Sequence, residues 1–448
     1  MSICILVPVP PTLRTARTIF SFCAKESERR GVEHSQISEP WVDADQSRGL
    51  MADECATSKR QRCSPCDDEA KALYEPVPYH FKVPHGIFML EATSVAVDHK
   101  DNVIVFNRGN MPVLVFDPDG NLISKWGNSA PFEGTMTVVD SYGGETMRWF
   151  NTEFVRPHMC HVDPEGFIWL VDAGANCVVK CDPASGERVM VLCPNGEVLT
   201  GAAAAGSAGV KYPPAERQSG VSFNTPTACC VHPVSGDIFV TDGYGNSRVH
   251  RFDRNGQHTL SWGDSGTDDG LFNLPHAICL LDTETLLVAD RENSRVQAFS
   301  LAGEHVASFP AHRAVAVAVG RGADSSDGQR TEHVFIAEQG SSSRVQRGDG
   351  MGAHQLQTWT KNIGHRIGIY ERDGARMVPG QPPKLRMVGQ IGASTPGEGP
   401  SNFNWLHSVA IDSQGSVYAA EVSFCECGKF QQPHAREMVS LRKWRLVQ

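Results

Sequence analysis

The sequence predicts an all-β fold, a six-bladed β-propeller, and three observations carry that expectation. A unit of short apolar strands returns six times between residues 91 and 448, at a spacing of roughly 40–60 residues, in the range of propeller blades. Asp-Gly, Asn-Gly and Ser-Gly pairs punctuate the strands and suit tight hairpins. The chain of 448 residues carries 42 Gly and 27 Pro, with 40% apolar residues, enough for a large core.

The first unit reads Ser94-Val-Ala-Val-Asp98, then Val103-Ile-Val-Phe-Asn107. The second is Cys160-His-Val-Asp163 with Phe167-Ile-Trp-Leu-Val-Asp172, and the third is Ala228-Cys-Cys-Val-His232 with Asp237-Ile-Phe-Val-Thr-Asp242. The fourth pairs Ala277-Ile-Cys-Leu-Leu-Asp282 with Leu286-Leu-Val-Ala-Asp290. A degenerate fifth spans Ala314–Val319 and Val334-Phe-Ile-Ala-Glu338, and the sixth is Ser408-Val-Ala-Ile-Asp412 with Val417-Tyr-Ala-Ala-Glu421. Third strands open on Asn246-Ser-Arg-Val249, Asn293-Ser-Arg-Val296 and Ser343-Arg-Val345, and fourth strands end in Trp126-Gly127 and Trp262-Gly263. Four short strands per unit describe a blade. The sixth unit ends after a third strand, Leu441–Leu446, so residues 73–90, near Phe81–Val83 or Ile87–Leu90, are expected to supply its fourth. The propeller is thus assigned to residues 73–448. Insertions at 128–153, 194–222 and 346–363 read as blade-connecting loops.

Residues 1–72 read as a disordered tail or a transit segment. Arg14, Arg17 and Lys25 stand in a stretch without acidic residues, and 26–72 is charged and aperiodic. Cys63 and Cys66 form a lone CxxC there, read as unpaired thiols. Lys plus Arg number 41 against 51 Asp plus Glu, a net charge of −10. No basic stripe suggests a nucleic-acid partner, and no apolar run reaches the ~18–20 residues of a membrane span. Scattered cysteines without a secretory signal favour an intracellular, reducing compartment over secretion.

A feature shared by all blades is read as structural. Arg248, Arg295 and Arg344 fall in that class, as partners of the acid ending the preceding strand. Features found in some blades are the functional candidates. At the opening of the first strand, blade two has Phe154-Val-Arg-Pro-His158, blade four Phe272-Asn-Leu-Pro-His276 and blade six Phe403-Asn-Trp-Leu-His407, whereas Thr93 and Thr227 fill the slot in blades one and three. Innermost strands line the channel, so histidines on alternate blades converge on the axis as the base of a three-His metal site. The competing reading has each His bonding its neighbour's backbone. His312 of blade five is a rival of uncertain register. At the exit of the second strand, on the same face, stand Arg108, Tyr244 and Arg291. Arg suits planar carboxylate recognition, and a Tyr near a divalent metal can act as a base.

The combination Thr241-Asp-Gly-Tyr-Gly-Asn-Ser-Arg-Val249, Phe272-Asn-Leu-Pro-His276 and Val288-Ala-Asp-Arg-Glu-Asn-Ser-Arg-Val296 resembles the peptidyl-α-hydroxyglycine α-amidating lyases, built on NHL-type repeats. The resemblance covers about residues 73–448. It implies zinc on His158, His276 and His407, substrate-binding Arg108 and Arg291, and a catalytic Tyr244. It further implies cleavage of a peptidyl-α-hydroxyglycine to a peptide amide and glyoxylate. The substrate would be a small molecule or a peptide C-terminus, made by a separate hydroxylase because 72 residues are too few for one. The family's channel calcium is doubtful, since the acidic residue after the third histidine is Ser408 here. The family's two disulfides fall on Asn224 with Gly245 and Leu287 with Ala298. Two other functions compete: a non-catalytic propeller serving as a protein-interaction scaffold, and a calcium-dependent lactonase-type propeller. The scaffold has no need of the alternating His set, and the lactonase needs channel carboxylates.

Overall fold

The second strand of each blade is apolar along its length, and Val103–Asn107, Ile168–Asp172 and Ile238–Asp242 are buried at every position. A strand buried on both faces needs a layer packed against each, which blades stacked around an axis provide. Fourth strands lie at the rim. Leu122–Trp126 alternates half-buried with exposed residues, the period of a sheet covered on one face.

The computed structural model describes residues 73–127, 137–139, 145–147, 153–214, 223–322, 331–340, 365–373, 384–392, 396–427 and 438–447. Six antiparallel sheets of at least four strands form the blades. Their first strands are Ala92–Val97, Pro157–Val162, Ala228–Val231, Pro275–Leu280, Ala314–Arg321 and Leu406–Ile411. Each lies against the next in chain order and the sixth against the first, closing the ring. The chain is a six-bladed β-propeller, as its repeats predict.

The closing strand comes from the expected region but not from the expected residues. Tyr74–Pro76 pairs with Leu441–Leu446, setting Tyr74 opposite Leu446 and Pro76 opposite Trp444. Phe81 and Ile87 are apolar for another reason: both join the core cluster between blades one and six, where Phe81 meets Phe116 edge-on at 5.0 Å. Blade five also departs from the reading. Its third strand is Arg366–Asp373, and Arg344 lies outside the described residues. The insertion at 194–222 is partly ordered. Val198–Thr200 adds a fifth strand to blade two and Gly201–Ala205 is a helix. Residues 1–72, with Cys63 and Cys66, lie outside the described residues.

In blades two to six the acid ending the second strand ties the blade together. Asp290 accepts the backbone N–H of Asn273 at 2.7 Å and the Nε–H of Arg295 at 2.8 Å. Glu421 does the same with Asn404 at 2.6 Å and Arg442 at 2.5 Å, and Glu338 with His312 and Arg366. Arg295 therefore has the structural role expected of it, and Arg248 faces Asp242 in register. Blades also interlock at the rim. A Cβ on Gly186 would lie 2.6 Å from the Trp126 ring, and one on Gly303 2.8 Å from Trp262. The recurring Trp thus packs on a turn of the following blade that must be glycine, and both turns have positive φ.

Eight described cysteines are free thiols, seven of them in strands or at a strand end. At the positions implied for disulfides, Leu287 and Ala298 face each other across a buried ladder. Gly245 donates its N–H to Asn224 O at 2.9 Å. No helix among the described residues is long and apolar enough to cross a membrane.

Candidate metal centre

The first strands open on the channel through a shared irregularity. In five blades the ladder to the second strand skips one residue: Thr93, His158, His276, Val315 and His407. A bulge drops its extra residue from the pairing and re-aims its side chain. In blade three the equivalent Thr227 stands just before the strand, its Oγ1 donating to Pro275 O at 2.8 Å. The slot therefore reads Thr, His, Thr, His, Val, His around the ring. His312 is not in it. It lies three residues earlier, where its N–H meets Glu338 as that of Asn273 meets Asp290.

The three slot histidines converge. Ring centroids lie 4.9 Å apart for His158 and His276, and 4.8 Å for each with His407. Each Nδ1 faces a backbone carbonyl of the next blade: His158 on Thr227 O at 2.5 Å, His276 on Val315 O at 2.7 Å, His407 on Thr93 O at 2.7 Å. A carbonyl only accepts, so each Nδ1 carries the proton and each neutral ring offers an Nε2 lone pair. Burial is the main force keeping all three neutral, and it pushes His407 down to about 3. His158 and His276 are held well below the ordinary imidazole value by burial and by neighbouring rings. The backbone-bonding reading is realised at Nδ1, and it leaves each Nε2 lone pair available to a metal.

One nitrogen from each ring lies within 4.8 Å of the others in a buried cluster. Tetrahedral zinc, with bonds of ~2.0–2.1 Å, needs about 3.4 Å between nitrogens. The only described hydroxyl bonded to these nitrogens is that of Tyr244, 3.0 Å from His158 Nε2 and 3.2 Å from His276 Nε2. One phenolic proton cannot satisfy three buried lone pairs. Such a donor set fits a metal cation.

Tyr244 reaches the axis through the turn Asp242-Gly-Tyr-Gly245. A Cβ on Gly243 would sit 2.1 Å from Pro275 O, so only glycine lets this turn press against blade four. Arg291 is buried, and its guanidinium carbon lies 5.8 Å from the Tyr244 ring centroid. Burial opposes its charge, but Glu292 and Tyr244 outweigh that and hold its pKa above the ordinary value. Arg108 donates to Pro157 O at 3.2 Å, beside His158. The six residues singled out in the sequence thus share one mouth of the channel.

The sequence reading missed the carboxylates that hold the arginines. Arg108 pairs with buried Glu91 at 2.7 Å. Arg291 shares buried Glu292 with Arg313, at 2.7 and 3.1 Å. It also missed Gln339, buried at the same strand exit in blade five, which donates to Leu406 O at 2.8 Å. The signal was present, since Gln339 follows Glu338 as Arg291 follows Asp290. Behind the histidines lie Ser94, Met159 and Ser408, with Ser94 Oγ 3.0 Å from Met159 Sδ and 3.2 Å from Ser408 Oγ. Calcium takes six to eight oxygens, usually including carboxylates, and this layer does not fit it.

Comparison with known proteins agrees with the motifs. The NHL repeat model matches residues 272–299. Rat peptidylglycine alpha-amidating monooxygenase is 30% identical over 223 residues, 48% of this chain and 21% of that protein. Drosophila melanogaster peptidyl-alpha-hydroxyglycine alpha-amidating lyase 1 is 31% identical over 219 residues, 46% of this chain and 37% of that protein. A probable lyase of the same name from Caenorhabditis elegans is 34% identical over 167 residues, 36% of this chain and 40% of that protein. The matches span less than half the length of these relatives. The resemblance to the amidating lyases, on an NHL-repeat propeller, stands.

Proposed function

We propose that this protein is a zinc-dependent lyase that cleaves a peptidyl-α-hydroxyglycine, or a similar carbinolamide, to an amide and glyoxylate. The observation that carries the reading is the contact of Tyr244 with two of three convergent histidines, at 3.0 and 3.2 Å. Lyases of this name among the relatives support it.

His158, His276 and His407 would hold the metal, which supplies a Lewis acid that lowers the pKa of a substrate hydroxyl. Tyr244 is the base that takes the hydroxyl proton. The C–O bond becomes a carbonyl as the C–N bond breaks, and the electron pair leaves with nitrogen. Tyr244 then returns the proton to that nitrogen, giving the neutral amide and the aldehyde of glyoxylate. Arg108 and Arg291 orient the substrate carboxylate, held in place by Glu91 and Glu292. A hydroxylation step must supply the substrate.

The test is product analysis. Zinc-loaded protein given benzoyl-α-hydroxyglycine should release benzamide and glyoxylate in equal amounts. Benzoate instead of benzamide would mean acyl hydrolysis and a different reaction class.

A further inference from the structure

The guanidinium groups around the mouth are not equivalent. Arg108 is committed to Glu91, while Arg291 and Arg313 share Glu292. Arg156 is different. Its side chain is exposed, and no carboxylate among the described residues pairs with it. Yet its guanidinium carbon lies 5.3 Å from the ring centroid of Tyr244, the ring that Arg291 approaches at 5.8 Å.

The backbone beneath Arg156 is fixed. Val155 and Arg156 donate their N–H groups to Asp172 at 2.7 and 2.8 Å, and Ala173 donates to Arg156 O at 3.1 Å. A Cβ on Gly174 would come 2.6 Å from that of Arg156, so the neighbouring turn is shaped around it. Two residues further on is His158. An unpaired cation is thus mounted on a rigid base, over the ring beside the three histidines. Among the described residues, the carboxylates at this mouth, Glu91 and Glu292, pair with Arg108, Arg291 and Arg313 and not with Arg156, whose charge can draw an anion.

We infer that Arg156 is a specificity-determining residue that reads a second anionic group on the substrate, in the acyl part projecting from the channel. The assignment rests on the lyase reading, in which Arg108 and Arg291 take the carboxylate next to the reacting carbon. Arg156, exposed at the rim, meets what lies beyond it. The preferred substrate class is a peptidyl-α-hydroxyglycine whose preceding residue is Asp or Glu.

The experiment compares two dipeptide substrates that differ only in an acidic or an amide side chain before the α-hydroxyglycine. The readout is the ratio of their kcat/KM values in zinc-loaded full-length protein. Wild type should favour the acidic substrate about three- to fivefold, the scale of a solvent-exposed ion pair. The preference should appear in KM and shrink with added salt. Arg156→Ala should bring the ratio to about one, Arg156→Lys should keep part of it, and Arg156→Glu should invert it. An Arg156→Ala ratio equal to that of wild type overturns the inference. Binding of the corresponding non-hydroxylated glycine acids, measured by calorimetry, separates the two claims. If wild type turns over neither substrate, the lyase chemistry is wrong, and the binding ratio still decides the role of Arg156: selectivity lost in Arg156→Ala supports it, and selectivity kept or absent contradicts it.

Discussion

His407 Nδ1 lies 2.7 Å from the backbone oxygen of Thr93, a contact between residues 314 positions apart. It spans the seam where the sixth blade meets the first. One of the three candidate metal ligands is therefore oriented only if the ring is closed.

Closure depends on Tyr74–Pro76, the strand that completes blade six. Truncation through residue 72 should leave the propeller able to bind zinc. Truncation through residue 78 should lower the melting temperature and weaken zinc binding, because Leu441–Leu446 becomes an open edge. Calorimetry and metal analysis of the two truncations check this, and identical behaviour would refute the closure argument.

The histidine cluster predicts the metal content. Purified protein should carry about one zinc per chain, and His158→Ala, His276→Ala and His407→Ala should each lose it. Protein that stays metal-free after dialysis against zinc contradicts the site.

Acid should destabilise the metal-free form. Burial lowers His161 to about 4 and His365 and His407 to about 3. Their folded values lie below the unfolded value of ~6.5, so the unfolded chain binds more protons in acid. The stability tied to their neutrality is complete above about pH 6.5 and falls as the pH drops through 6 toward 4. Thermal scans of apo protein between pH 7.5 and 4.5 should show a steady decline, and a flat profile would count against neutral buried imidazoles.

Tyr244→Phe keeps the ring and removes the phenolic oxygen. It should lower kcat by about 10²–10⁴, the contribution of a positioned base, with zinc still bound. Full activity in this variant removes Tyr244 from the mechanism.

Much of this architecture was legible in one sequence because the repeat supplies its own comparison. His158, His276 and His407 stood out only against Thr93 and Thr227 at the same register, and Arg295 was recognised as structural because it recurs. What stayed hidden lacks a local pattern. The bulge that aims the slot residue in five blades is a property of the strand pair, so the register of His312 could not be read. The third strand of blade five follows an insertion that moved it from the vicinity of Arg344 to Arg366. Glu91 and Glu292 have no sequence pattern that marks the arginines they meet once folding buries them. Phe81 and Ile87 have the apolar character of a strand but spend it on packing.

The central claim is that the three-His cluster and Tyr244 form a metal-dependent lyase site. Its most direct test is glyoxylate release from benzoyl-α-hydroxyglycine by metal-free protein, by the same protein reloaded with zinc, and by His407→Ala treated alike. Turnover should be absent without metal, return on zinc addition in wild type, and stay absent in the variant. Equal turnover in all three, or none in zinc-loaded wild type, would contradict it.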